Sequence, residues 1–181
     1  MPVLFEEALG PDFRLLPPPL VDLHGVVDVR RWHGEAEVTQ GPGLLARLVR
    51  AVMGFPPAGR AVRVAVTMER RGSGEVWVRD FAGRRFRSRL TRRSAGPGVR
   101  ERFGLLSFDL GLAVRDGRLW YPVVDGRIAG VPLPRTLLPS STSCESVDAA
   151  GRACFDVAIA LPLVGLVVRY RGWLVPDGER G

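Results

Sequence analysis

The chain has 181 residues, enough for one domain with a substantial core, and its 46% hydrophobic and 25% charged residues exclude a disordered polymer. The formal net charge is +7, and all 26 basic residues are Arg. With no Lys in the chain, a Schiff-base lysine, a covalently held pyridoxal phosphate and a P-loop lysine are excluded.

Residues 1–25 are expected to form short helical pieces, with Pro17-Pro18-Pro19 leading into a helix through Leu20, Val21 and Leu23. The opening Met1-Pro2-Val3-Leu4-Phe5-Glu6-Glu7 is acidic where a secretion signal is basic. The longest apolar run, near Val157 to Val168, is broken by Pro162 and Gly165 and is too short to span a bilayer. The reading is a soluble, cytoplasmic chain with no membrane partner. Glu35 to Thr39 predicts a short strand. Gly41-Pro42-Gly43 then opens the main helix, Leu44 to Met53 (44–53). Its Leu44, Leu45, Leu48, Val49, Val52 and Met53 recur at three and four, with Arg47 and Arg50 on the opposite side. The apolar side is expected to pack on a concave sheet face or to plug one end. Gly54 and Pro56-Pro57 end the helix.

The period then changes to two. Val62 to Met68, Glu75 to Phe81 and Arg85 to Thr91 predict strands joined by Gly72-Ser73-Gly74 and Ala82-Gly83-Arg84, links short enough only for antiparallel neighbours. Further strands are expected at Val99 to Leu105, Leu106 to Arg115, Leu119 to Val124 and Arg127 to Val131, with hairpin turns at Asp116-Gly117 and Asp125-Gly126. After a proline-rich corner, Ser141 to Val147, Ala153 to Ala160 and Leu166 to Val175 complete the set, followed by a short polar tail at 176–181. The expected product is a single α+β domain over 1–181, mainly antiparallel β, with about nine strands around one main helix. A strongly curved sheet or partly open barrel follows from so many short hairpin links.

Six segments carry a family resemblance. They are Leu9-Gly10-Pro11-Asp12-Phe13 with Leu23-His24-Gly25; Gly74-Glu75-Val76-Trp77-Val78-Arg79-Asp80-Phe81; Glu101-Arg102-Phe103-Gly104; Gly130-Val131-Pro132-Leu133-Pro134; and Tyr170-Arg171-Gly172-Trp173-Leu174. With these the chain resembles the bacterial family catalogued as domain of unknown function 4166. The resemblance implies no assigned activity. It does imply a role beside a saccharopine-dehydrogenase-like or short-chain-reductase-like partner, to which some family members are fused and which this chain would meet in trans.

Several residues could carry chemistry. Gly41-Pro42-Gly43-Leu44-Leu45-Ala46 fits a dinucleotide fingerprint, but Pro42 lacks an amide for phosphate and the preceding strand is polar; it reads as a helix-start turn, with no cofactor expected. Arg85, Arg87 and Arg89 share a strand face, on which Trp77 and Arg79 are expected to join them, leaving Val76, Val78, Phe86 and Leu90 for the core. In the last strand Arg169, Arg171 and Trp173 alternate with Val168, Tyr170 and Leu174, so Tyr170 could meet a ligand from the apolar side while Arg171 holds a carboxylate. Glu101, Asp109, Glu145 and Asp156 are the carboxylates in strand contexts. His24 and His33 with Glu35 and Glu37 are too few for a metal signature. Cys144 and Cys154 flank a turn and are expected to face each other, reduced.

The favoured function is a non-catalytic or accessory binding domain for a small apolar or acidic metabolite, with Trp77, Arg79, Tyr170, Arg171 and Trp173 as contacts. The alternatives are a small enzyme using acid–base carboxylates among Glu101, Asp109, Glu145 and Asp156, and a nucleic-acid-binding module resting on charge alone.

Overall fold

The computed structural model describes residues 2–178. Two short helices, α1 (Leu4–Leu9) and α2 (Pro18–His24), flank a 3-10 turn (Gly10–Leu15), as the proline cluster predicts. Helix α3 (Leu44–Met53) has the expected bounds and ends at Gly54 in the left-handed region, φ 68°. The strands are β1 (Val29–Gln40), β2 (Gly59–Arg71), β3 (Gly74–Phe81), β4 (Arg84–Arg92), β5 (Gly98–Phe103), β6 (Leu106–Gly111) and β7 (Ala113–Arg115). They continue with β8 (Arg118–Trp120), β9 (Val123–Ile128), β10 (Val131–Pro132), β11 (Ser140–Ser141), β12 (Cys144–Val147), β13 (Ala153–Leu161) and β14 (Gly165–Pro176). Of the expected tail, Pro176 ends β14 and Asp177-Gly178 form a turn, while 179–181 lie outside the described residues.

All pairings are antiparallel and belong to one sheet, ordered β10-β9-β6-β5-β4-β3-β2-β1-β14-β13-β12-β8-β7, with β11 beside β13. The fold is thus mainly antiparallel β with few helices. The hydrogen-bonded path does not close. Yet β6 and β7, near its opposite ends, are separated in the chain only by Leu112, and β8 and β9 only by Tyr121-Pro122.

Four differences from the sequence expectation have physical causes. Strand β1 is 12 residues long rather than a short strand at Glu35 to Thr39, because Trp32, Gly34, Ala36 and Val38 are buried in alternation with outward charged residues. The expected strands Leu106 to Arg115 and Leu119 to Val124 each divide in two; Pro122, without an amide hydrogen, cannot continue a ladder. Asp125-Gly126 is not a turn but lies within β9, where Asp125 accepts from the Gly126 amide at 2.7 Å. The chain reverses instead at Ala129-Gly130, φ 50° and 84°.

The fourth concerns α3. Its Leu44, Leu45, Leu48 and Val52 face solvent, whereas Ala46 and Arg50 are the buried residues. Arg50 Nη1 donates to the carbonyls of Gly41 at 2.8 Å and Val167 at 3.2 Å, anchoring the helix to the start of β14 by its polar side. Gly41 permits this approach: a Cβ there would meet the Leu166 carbonyl oxygen at 1.5 Å.

The register sorts the turns onto two edges. The β1–β2 connection that holds α3 shares an edge with the β3–β4, β5–β6, β9–β10 and β13–β14 turns. Helices α1 and α2 belong to the other edge, where α1 packs on β4 and β5 and α2 on β12 and β13. Phe5, Leu20, Leu23, Met68, Phe81 and Leu119 are among the residues of the core.

Candidate functional site

One face of the sheet borders a cavity of about 440 Å³. Its walls are apolar: Val64 and Val66 from β2, Phe81 from β3, Phe86 and Leu90 from β4, Phe103, Leu106, Phe108 and Leu110 from β5 and β6, and Phe155, Val157 and Ile159 from β13. Phe5 and Leu23 close it at the α1–α2 edge, and Val49, Met53 and Phe55 border it at the α3 edge. The same face of the sheet thus contributes from β5, β6 and β9 on one side of the strand order and from β12, β13 and β14 on the other.

Two polar clusters are set into this wall. At the first, His24 Nε2 lies 2.5 Å from Glu145 Oε2, within hydrogen-bond distance. The His24 ring stacks on Phe5 at 3.9 Å between centroids and lies 5.8 Å from Trp77. His24 Nδ1 is buried without a partner among the described residues. Trp77 Nε1 donates to Glu75 Oε2 at 2.7 Å behind it. Glu75 has no exposed surface, and burial pushes its carboxyl above the usual range against the opposing pull of the Trp77 hydrogen bond.

At the second cluster, Arg79 donates to Ser88 Oγ at 2.9 Å and to Glu101 Oε1 at 3.0 Å, and Ser88 donates to the same carboxylate oxygen at 2.7 Å. The guanidinium also lies 4.8 Å above the Trp77 ring. Tyr121 and Tyr170 complete the polar lining. Neither hydroxyl is hydrogen-bonded to another described residue. Burial pushes Tyr170 up to about 12. It raises Tyr121 well above its ordinary value too, helped by the Glu145 carboxylate. Both therefore stay neutral donors at physiological pH.

Of the ligand contacts expected from sequence, Trp77, Arg79 and Tyr170 line this cavity, whereas Arg171 and Trp173 point from the opposite face. Arg171 Nη2 pairs with Glu37 at 2.7 Å, and the Trp173 ring lies under Arg152 at 4.4 Å. Trp77 and Arg79 share their face not with Arg85, Arg87 and Arg89 but with their cross-strand partners Ser88 and Phe86. The outward Arg residues stand opposite Asp80, Val78 and Val76. Because β3 buries Val76 and Trp77 alike, its alternation does not reveal which face is inner, and a one-residue slip in register exchanges the faces.

Among the carboxylates, Glu101 and Glu145 line the cavity. Asp109 is chelated by Arg100 at 2.6 and 2.9 Å, and Asp156 by Arg169 at 2.8 and 2.5 Å, both apart from the cavity lining. Cys144 and Cys154 are free and do not face each other: Cys144 stands opposite Asp156, and Cys154 opposite Ser146. His33 pairs with Asp177 at 3.0 Å, apart from the cavity lining. Tyr121 and Ser88 carry no local sequence signal beyond an aromatic and a hydroxyl within strand-like runs. The His24–Glu145 bond spans 121 residues and has no local signal at all.

No curated protein and no solved structure matches the chain. A family model does match, over residues 16–174, which hold both polar clusters and nearly every strand. By that match the chain belongs to the family described as domain of unknown function DUF4166.

Proposed function

We propose that the chain is a binding domain for an elongated apolar molecule with a small polar or acidic group, and that its sheet curls into a partly open barrel around that molecule. The curvature is supported by connectivity. Cα atoms follow one another at 3.8 Å, so Gly111 on β6 and Ala113 on β7 stand at most about 7.6 Å apart, although their strands lie near opposite ends of the strand order. The cavity is the observation that carries the function: about 440 Å³ of space with apolar walls and a few convergent donors, in the range of small-molecule sites.

Arg79, Tyr121 and Tyr170 would hold the polar group, with Trp77 and the Phe side chains along the chain of the ligand. The saccharopine-dehydrogenase-like or short-chain-reductase-like partner implied by the family resemblance would then deliver or receive the bound molecule. Titration with parinaric acid, a fluorescent fatty acid, tests this reading. One saturable site is expected in the native protein, with affinity clearly weakened in Val157→Trp, whose indole takes up part of the cavity. Non-saturable uptake unaffected by Val157→Trp would refute it.

A second reading rests on the convergence of Glu101 and Glu145 on one cavity, the latter already bonded to His24. Such a pair could move protons on a bound molecule. Recovery of the ligand chemically altered would favour that reading; recovery unaltered favours binding alone.

A further inference from the structure

The cavity has two unlike ends. One is covered by α1 and α2. At the α3 edge, the exposed surface is unusually apolar: among the described residues, all the exposed large hydrophobic side chains except Leu15, Val27 and Val124 lie there.

Helix α3 shows how this surface meets the cavity. At roughly 100° per residue, Leu44, Leu48, Val52 and Leu45 occupy one arc of the helix, continued without a break by Val49 and Met53. The first four face solvent and the last two border the cavity. Leu163 in the β13–β14 turn is fully exposed and holds a φ of +65°. That conformation suits Gly or Asn, so the fold accepts backbone strain to display a leucine.

Charge identifies what such an edge would meet. Segments 40–68, 126–144 and 157–176, which supply most of it, contain no Asp or Glu. Arg47, Arg60, Arg84 and Arg135 are exposed there, and none is paired with a carboxylate among the described residues. The opposite edge, by contrast, carries Glu6, Glu7, Asp12, Asp22, Asp28 and Asp116. Apolar side chains interleaved with unpaired Arg match the acyl and headgroup layers of an anionic bilayer.

We infer that the α3 edge docks on an anionic phospholipid membrane, so that an apolar ligand passes between bilayer and cavity beside α3. The passage rests on the binding reading above; the docking stands on the edge itself. No described helix is long and apolar enough to cross a membrane.

Flotation of the full chain with vesicles tests it, using phosphatidylglycerol–phosphatidylcholine mixtures against phosphatidylcholine alone. Partition onto the anionic vesicles is expected, falling about tenfold or more for Leu44→Ser/Leu48→Ser and about fivefold for each Arg removed among Arg47→Gln, Arg84→Gln and Arg135→Gln. Leu15→Ser/Val27→Ser, at the other edge, should leave partition unchanged. Circular dichroism and thermal melting confirm that each variant is folded. Absence of partition, or equal loss with the control pair, overturns the docking. So does concentration-dependent dimerisation without lipid that Leu44→Ser/Leu48→Ser abolishes, since the edge would then join two copies. Val157→Trp separates the two readings: it should weaken parinaric acid binding and leave vesicle partition intact.

Discussion

Glu145 Oε2 on β12 lies 2.5 Å from His24 Nε2 at the end of α2, joining the N-terminal helices to a strand 121 residues away. Both side chains are buried, so each is the other's substitute for water. Glu145→Ala should cost about 2–4 kcal/mol, because it leaves His24 without its partner. Glu145→Gln, which keeps an acceptor, should cost about 1 kcal/mol. Chemical denaturation of the two variants checks the ordering; equal and small losses would show that the bond does not anchor α2.

The position of α3 depends on Arg50 in the same way. Replacing it with Leu removes two hydrogen bonds to carbonyls of Gly41 and Val167, worth about 1–3 kcal/mol together. The loss should be local. Hydrogen exchange is expected to accelerate in residues 44–53 while β1, β2 and β14 keep their protection. Unchanged exchange in α3 would mean that packing of Ala46, Val49 and Met53 holds the helix without the Arg.

Much of the fold was legible because period-two runs between Gly turns specify β2, β3 and β4 locally, and Gly43 and Gly54 bracket α3. What α3 would bury was not legible. Its periodicity reports an amphipathic helix but not whether protein covers the apolar arc, and here Leu44, Leu45, Leu48 and Val52 remain exposed. The inner face of β3 was hidden for a related reason: Trp77 with Arg79 on one side and Val76 with Val78 on the other are both plausible core strips, and only the pairing with β4 decides. Tyr170 was recognisable from alternation in β14, whereas the convergence of His24, Glu145 and Tyr121 depends on contacts remote in sequence.

Glu75 gives a pH signature. Burial raises its carboxyl from the ordinary 4.5 in the folded chain. The folded state therefore holds the proton more tightly than the unfolded one. This favours folding fully below the unfolded value and is lost as pH rises through the folded value. Glu75→Gln can still accept from Trp77 but does not titrate. Its stability relative to the native chain should therefore increase from about pH 4.5 upward and then level. Thermal melts across this range check it; a difference independent of pH would contradict the assignment.

Tyr170 separates stability from binding. Its hydroxyl bonds no other described residue and borders the cavity, so Tyr170→Phe should change stability by less than about 0.5 kcal/mol. A carboxylate held there would lose one hydrogen bond, and the affinity for parinaric acid should fall about fivefold. The methyl ester, with a weaker acceptor, should lose less. Equal affinity of the variant for the free acid would place the polar group elsewhere.

Native mass spectrometry of the purified chain, compared with its denatured mass, tests the cavity most directly. The account expects one apolar molecule per chain, either carried through purification or taken up on incubation with parinaric acid, released on denaturation and at reduced occupancy in Val157→Trp. A chain that remains bare after that incubation, or a Val157→Trp variant that carries the same mass at the same occupancy, would contradict it.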